Sequence, residues 1–205
     1  MFDLHGFITK LATTRPLFHS EADFQHAFAW HFHELFPTAL VRLEYPVFTD
    51  RWIYLDLWLH TSDMQLAVEL KYKTLKLEIV HNNEGFQLKN QSAQDTGRYD
   101  FLKDVARLEQ VAGTNADVQG YAVLLTNDPS YWGTGRAGTV DANFRLNHGR
   151  SVSGKMAWLP HASDGTTRNR TEPIQLLRDY TVEWHPYSEL TPNPAGEFRY
   201  LVFKV

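Results

Sequence analysis

The apolar period of this chain switches from helical to alternating and back again, and that switching leaves few folds open. Ser20-Glu21-Ala22-Asp23 supplies a hydroxyl to cap backbone N–H groups and acidic residues for a first turn. Phe24, Ala27, Phe28, His31, Phe32 and Leu35 follow at helical spacing, and Pro37 stops the run. Val41 to Phe48 and Trp52 to Leu59 are rich in β-branched and aromatic residues, so they predict two strands joined through Thr49-Asp50-Arg51. A third strand is expected from about Gln65 to Lys73, after a turn at His60 to Met64. A small hairpin fits Leu77–Val80 and Gly85–Leu88 around His81-Asn82-Asn83-Glu84. Helical spacing returns from about Gln94 to Val111 through Phe101, Leu102, Val105 and Leu108, and the apolar run Gly120 to Thr126 reads as a buried strand.

Beyond residue 126 the pattern weakens. Residues 133–173 are rich in Gly, Ser, Thr, Asn and Arg and predict long loops, with closing strands expected at Thr181–Trp184 and Phe198–Lys204 about a turn at Thr191–Gly196. The 205 residues, 43% of them hydrophobic, suffice for one domain with a sizeable core. The fold class expected is α/β with a central mixed sheet flanked by helices.

Two strands carry charges in an apolar setting. Asp56 lies between Leu55 and Leu57-Trp58, and twelve residues separate it from Glu69-Leu70-Lys71. A carboxylate amid such neighbours needs a partner, a proton or a cation. Side chains alternate across a strand, so Glu69, Lys71 and Lys73 share one face in steps of about 7 Å, while Leu70 and Tyr72 point to the other. Antiparallel pairing through the turn at 60–64 brings Asp56 toward Glu69. Two carboxylates and the Leu70 backbone carbonyl would then offer hard oxygens suited to Mg²⁺ or Mn²⁺. Lys71 would neutralise charge on a phosphate or, with a lowered pKa, help to deprotonate water.

Asp56 with Glu69-Leu70-Lys71, behind a capped helix, resembles the PD-(D/E)XK, or restriction-endonuclease-like, nuclease superfamily over roughly residues 20–126. Leu55 stands where the motif's proline would be. The resemblance implies a core in the order α-β-β-β-α-β, with 127–205 as an elaboration. It also implies a metal-dependent phosphodiesterase, a bacterial DNA endonuclease of restriction or defence type, with Asp56 and Glu69 binding the ion and Lys71 acting beside it. Many members carry a further acid on the first helix, for which Glu21 is preferred over Glu34, and over Glu44 on the first strand. Related nucleases contact phosphate from the helix after the lysine strand, which points to Gln91 and Arg98, with Lys73 beside Lys71. Helix capping by Asp95 is the competing reading of that polar cluster.

Charge is unevenly distributed around a net −4. Residues 1–70 hold four Lys/Arg against nine Asp/Glu, whereas 136–178 hold seven against three, so the basic stretch is the expected phosphate track. Cysteine is absent, which excludes disulfides and thiolate zinc sites. His31 and His33 are two apart and cannot face one ligand on a helix, and no P-loop or dinucleotide fingerprint is present. No apolar run approaches a membrane span, so a soluble cytoplasmic chain is expected. Cutting both strands of a duplex would call for a homodimer. A non-cleaving nucleic-acid-binding module of the same fold, or one serving repair or transposition with partners, is the alternative.

Overall fold

A computed structural model describes residues 2–48 and 52–205. Two helices open the chain, α1 (Leu4–Thr14) and α2 (Glu21–Leu35). Asp3 caps α1 by accepting from Gly6 N–H, and Ser20 caps α2 by accepting from Asp23 N–H. Leu4, Phe7, Ile8 and Leu11 form the buried stripe of α1; Phe24, Phe28 and Phe32 form that of α2. Burying each of these large side chains is worth about 1.5–3 kcal/mol.

The strands are β1 (Leu40–Pro46), β2 (Tyr54–His60), β3 (Gln65–Lys73), β4 (Leu77–His81) and β5 (Glu84–Leu88). Helix α3 (Gln94–Thr114) and β6 (Val118–Thr126) follow, then β7 (Ser151–Met156), the short α4 (Asp164–Thr167), β8 (Ile174–Thr181), β9 (Trp184–Glu189) and β10 (Glu197–Lys204). Six strands build the central sheet in the order β1-β2-β3-β6-β10-β9. β3 and β6 run parallel and the other neighbours antiparallel, so the sheet is mixed and the class is α/β. The parallel pair requires a crossover, which the β4–β5 hairpin and α3 provide.

β3 lies inside the sheet and its middle is buried on both faces, which suits the apolar run Leu66-Ala67-Val68; beyond it Leu70 and Tyr72 alternate with Glu69, Lys71 and Lys73. Leu66, Val68, Leu70 and Tyr72 join Tyr121, Val123 and Leu125 of β6 in the core beneath α1 and α2. Ala67 of β3 joins Ala122 and Leu124 in the opposite core, with Phe101, Leu102, Val105 and Leu108 of α3. No described helix is long and apolar enough to cross a membrane.

Five elements depart from the sequence expectation: α1, β7, α4, β8 and β9. α1 was not foreseen, although its apolar residues repeat at helical spacing. The loops expected at 133–173 contain β7, whose alternation is broken by a register shift beside Gly154 at φ 65°. The strand expected at Thr181–Trp184 is a junction, because β8 ends at Thr181 and β9 begins at Trp184. The turn expected at Thr49-Asp50-Arg51 lies outside the described residues.

Candidate functional site

The site forms where β2 leaves β3. Their ladder runs from His60↔Gln65 to Leu57↔Val68, and one further step would set Asp56 opposite Glu69. There the side chain replaces the ladder: Asp56 Oδ2 accepts from Leu70 N–H at 2.7 Å. Two residues on, Tyr72 N–H donates to Glu21 Oε2 at 2.8 Å, with Glu21 presented by the first turn of α2. Two carboxylates thus satisfy the edge of β3 on either side of Lys71, while its other edge stays paired with β6 as far as Lys73↔Thr126. A strand residue turns its N–H and C=O toward the same neighbour, so the Leu70 carbonyl also faces the gap.

Helix α3 closes the cluster with two residues that the sequence reading passed over. Lys71 Nζ lies 3.0 Å from Asp104 Oδ2 and 4.0 Å from Glu21 Oε1. Arg107 Nη1 donates to Glu69 Oε1 at 2.6 Å and to the Tyr54 carbonyl at 3.0 Å, and Arg107 also pairs with Asp104. The signal for Asp104 was available: it stands three residues after Phe101 and four before Leu108, on the face that the helix buries.

Burial dominates the electrostatics. Glu69 is 2% exposed, and desolvation, followed by repulsion from Asp104, pushes its carboxyl up to about 9 despite Arg107 beside it. Asp104 is also raised, first by burial. For Lys71 burial acts downward, but attraction to Asp104, Glu21 and Asp56 outweighs it and the ammonium is held above its ordinary range. That removes the expectation of a lowered lysine pKa and leaves Lys71 a positive charge. Asp56, Glu69, Asp104 and Glu21 stand against Lys71 and Arg107, so four carboxylates face two cations. If all were ionised, two negative charges would remain uncompensated.

Hard oxygens suit a small divalent cation, and because burial favours the protonated forms of Glu69 and Asp104, the surplus negative charge would appear only as an arriving ion draws those protons off. Glu69 instead meets Arg107, and among the described residues no three His, Cys, Asp or Glu side chains are grouped to hold an ion.

The expected helpers separate into different places. Arg98 is 2% exposed; it donates to Asp141 Oδ2 and to the Ser130 carbonyl, both at 2.6 Å. It clamps the segments after β6, so the expected phosphate contact is corrected to an internal ion pair. Gln91 Oε1 accepts from Thr74 N–H at 3.0 Å, securing the chain just beyond β3. Lys73 is half-buried at the end of β3. Ala93, with φ 72° and no side-chain hydrogen bond, occupies the cap of α3, while Asp95 accepts from Thr96 N–H, so Asp95 is not the cap. Glu34 accepts from Trp30 Nε1, and Glu44 is exposed at φ 49°. Within 136–178, Arg145 pairs with Asp141, Arg150 donates to the Ala142 carbonyl and Arg170 grips Asp100. Arg136, Lys155, Arg168 and Arg178 remain exposed.

Comparison with known proteins yields no matching family model, no matching curated protein and no matching solved structure.

Proposed function

We propose that this protein is a metal-dependent nuclease with a restriction-endonuclease-like core, hydrolysing phosphodiester bonds of nucleic acid, foremost DNA, in a bacterial restriction or defence role. The carrying observation is the gathering of Asp56, Glu69, Lys71 and Glu21 around the point where β2 leaves β3. Asp56, Glu69 and the Leu70 carbonyl are the groups that would hold Mg²⁺ or Mn²⁺. When bound, such an ion supplies positive charge at the scissile phosphate and acidifies a coordinated water.

The protein's own groups do the rest. Lys71, kept charged by its acidic neighbours, offsets negative charge developing on a phosphate oxygen. Glu21 fixes the β3 backbone beside Lys71 and accepts part of its charge. Asp56, through Leu70 N–H, fixes the backbone on the other side.

Purified protein incubated with supercoiled, linear and single-stranded DNA, and with RNA, in Mg²⁺, Mn²⁺ or Ca²⁺ tests this reading beside Asp56→Ala and Lys71→Ala. Cleavage by wild type alone supports it; identical behaviour of all three proteins on every substrate defeats it. The Glu69–Arg107 ion pair favours a second reading, a non-cleaving nucleic-acid-binding module that works with partners. Binding without cleavage in every ion would select that one.

A further inference from the structure

We infer that Arg107 is a resident counter-ion standing on the carboxylate that a divalent cation needs, so that Arg107 and the cation exchange on Glu69. The inference rests on the nuclease reading above and adds to it a control of the same site.

Glu69 is almost entirely buried, so bulk water and salt offer it little compensation, and Arg107 is the basic group hydrogen-bonded to it, at 2.6 Å. A Mg²⁺ ion binds oxygen at about 2.0–2.1 Å and demands near-octahedral geometry. An ion so close to Glu69 would repel a guanidinium already on the same carboxylate, across a short and poorly screened distance. The two positive groups therefore compete. Arg107 has somewhere to go, because its side chain retains 23% of its exposure and projects from α3 at the rim of the cluster. Asp104 remains to hold Lys71 when Arg107 leaves, since Lys71 contacts the other Asp104 oxygen. A guanidinium displaced toward solvent at this rim is placed for a phosphodiester oxygen, which it binds in a planar, forked geometry.

Calorimetric titration of the full chain with Mn²⁺ tests the exchange without any need for cleavage. Arg107→Met should bind Mn²⁺ more tightly than wild type by roughly 5- to 150-fold, the usual range for coupled sites, and Arg107→Lys should lie between them. Asp56→Asn should abolish the gain. Should Arg107→Met not fold, the same titration followed through the arginine side-chain ¹⁵N signals of wild type, with the Arg107 signal assigned by its loss in Arg107→Lys, should show that signal leaving its ion-paired position as Mn²⁺ or diamagnetic Mg²⁺ binds. Equal or weaker Mn²⁺ affinity in folded Arg107→Met, or an unmoved Arg107 signal while the ion binds, overturns the exchange and leaves the nuclease reading intact. No Mn²⁺ binding by any variant overturns both.

Discussion

Asp56→Asn separates two jobs of one side chain. The amide oxygen still accepts from Leu70 N–H, where Asp56 Oδ2 now accepts at 2.7 Å, but the negative charge is gone. On the nuclease reading, the expected outcome is a stable protein whose cleavage rate falls by about 10²–10⁴, the range for losing one charged group in a catalytic site. Circular-dichroism melts beside single-turnover cleavage check it; a large loss of stability with proportionate loss of rate would reduce Asp56 to a structural residue. Arg98 gives the opposite expectation. Arg98→Ala leaves Asp141 buried without its closest cation, and breaking such a pair costs about 3–5 kcal/mol. Urea denaturation should show that loss, and a change below about 1 kcal/mol would return Arg98 to the candidates for phosphate contact. At this scale the sequence exposed Asp56, Glu69 and Lys71 because charges stood out in apolar strands. It misled on Arg98 because an arginine at a helix start reads the same whether it faces solvent or Asp141.

Among elements, α3 does the most varied work, and its charges divide cleanly. Asp104 and Arg107 face the site, whereas Glu109 receives Leu177 N–H at 2.7 Å, Arg178 N–H at 2.9 Å and the Tyr180 hydroxyl at 2.9 Å. Glu109 is thereby the anchor that ties β8 to α3. At the far edge of the sheet, β9 carries His185, which contacts the His5 ring at 4.6 Å and stacks on Tyr200 at 5.3 Å. Burial, then repulsion from His5 and His148 partly offset by Glu183, lowers the His185 pKa below its ordinary value. A lowered histidine pKa means the folded protein binds fewer protons than the unfolded chain between the two values. The stabilisation is therefore complete above about pH 6.5 and is lost as pH falls from there through the folded value. Urea midpoints at pH 7.5 and 5.5 should diverge more for wild type than for His185→Phe. An equal drop in both proteins would show that His185 contributes nothing to acid sensitivity.

For the whole molecule, charge placement matters more than the net −4. Arg145, Arg150 and Arg170 are engaged internally, while Arg136, Lys155, Arg168 and Arg178 are exposed. On the nuclease reading, log affinity for duplex DNA should fall with log salt by about 0.9 for each phosphate contacted. Replacing one of these four by alanine should reduce that slope by about 0.9, while Arg170→Ala should leave it unchanged if the fold holds. Fluorescence anisotropy across a salt series reads both; a slope near zero in wild type would remove these residues from any phosphate track. The sequence by itself determined the helix from Ser20, the strands around Asp56 and Glu69, the β4–β5 hairpin, α3 and β6. In those segments a local period and a local stop signal agree. It did not determine β7, where the irregularity beside Gly154 erases the alternation, nor the break between β8 and β9, where no turn residues mark the boundary. Only tertiary structure decided that β2 parts from β3 at Asp56, that Glu21 reaches Tyr72 N–H, and that Asp104 and Arg107 complete the charge cluster. Those contacts join residues 14 to 51 positions apart, and which of several buried charges meet is set by how the helices dock on the sheet.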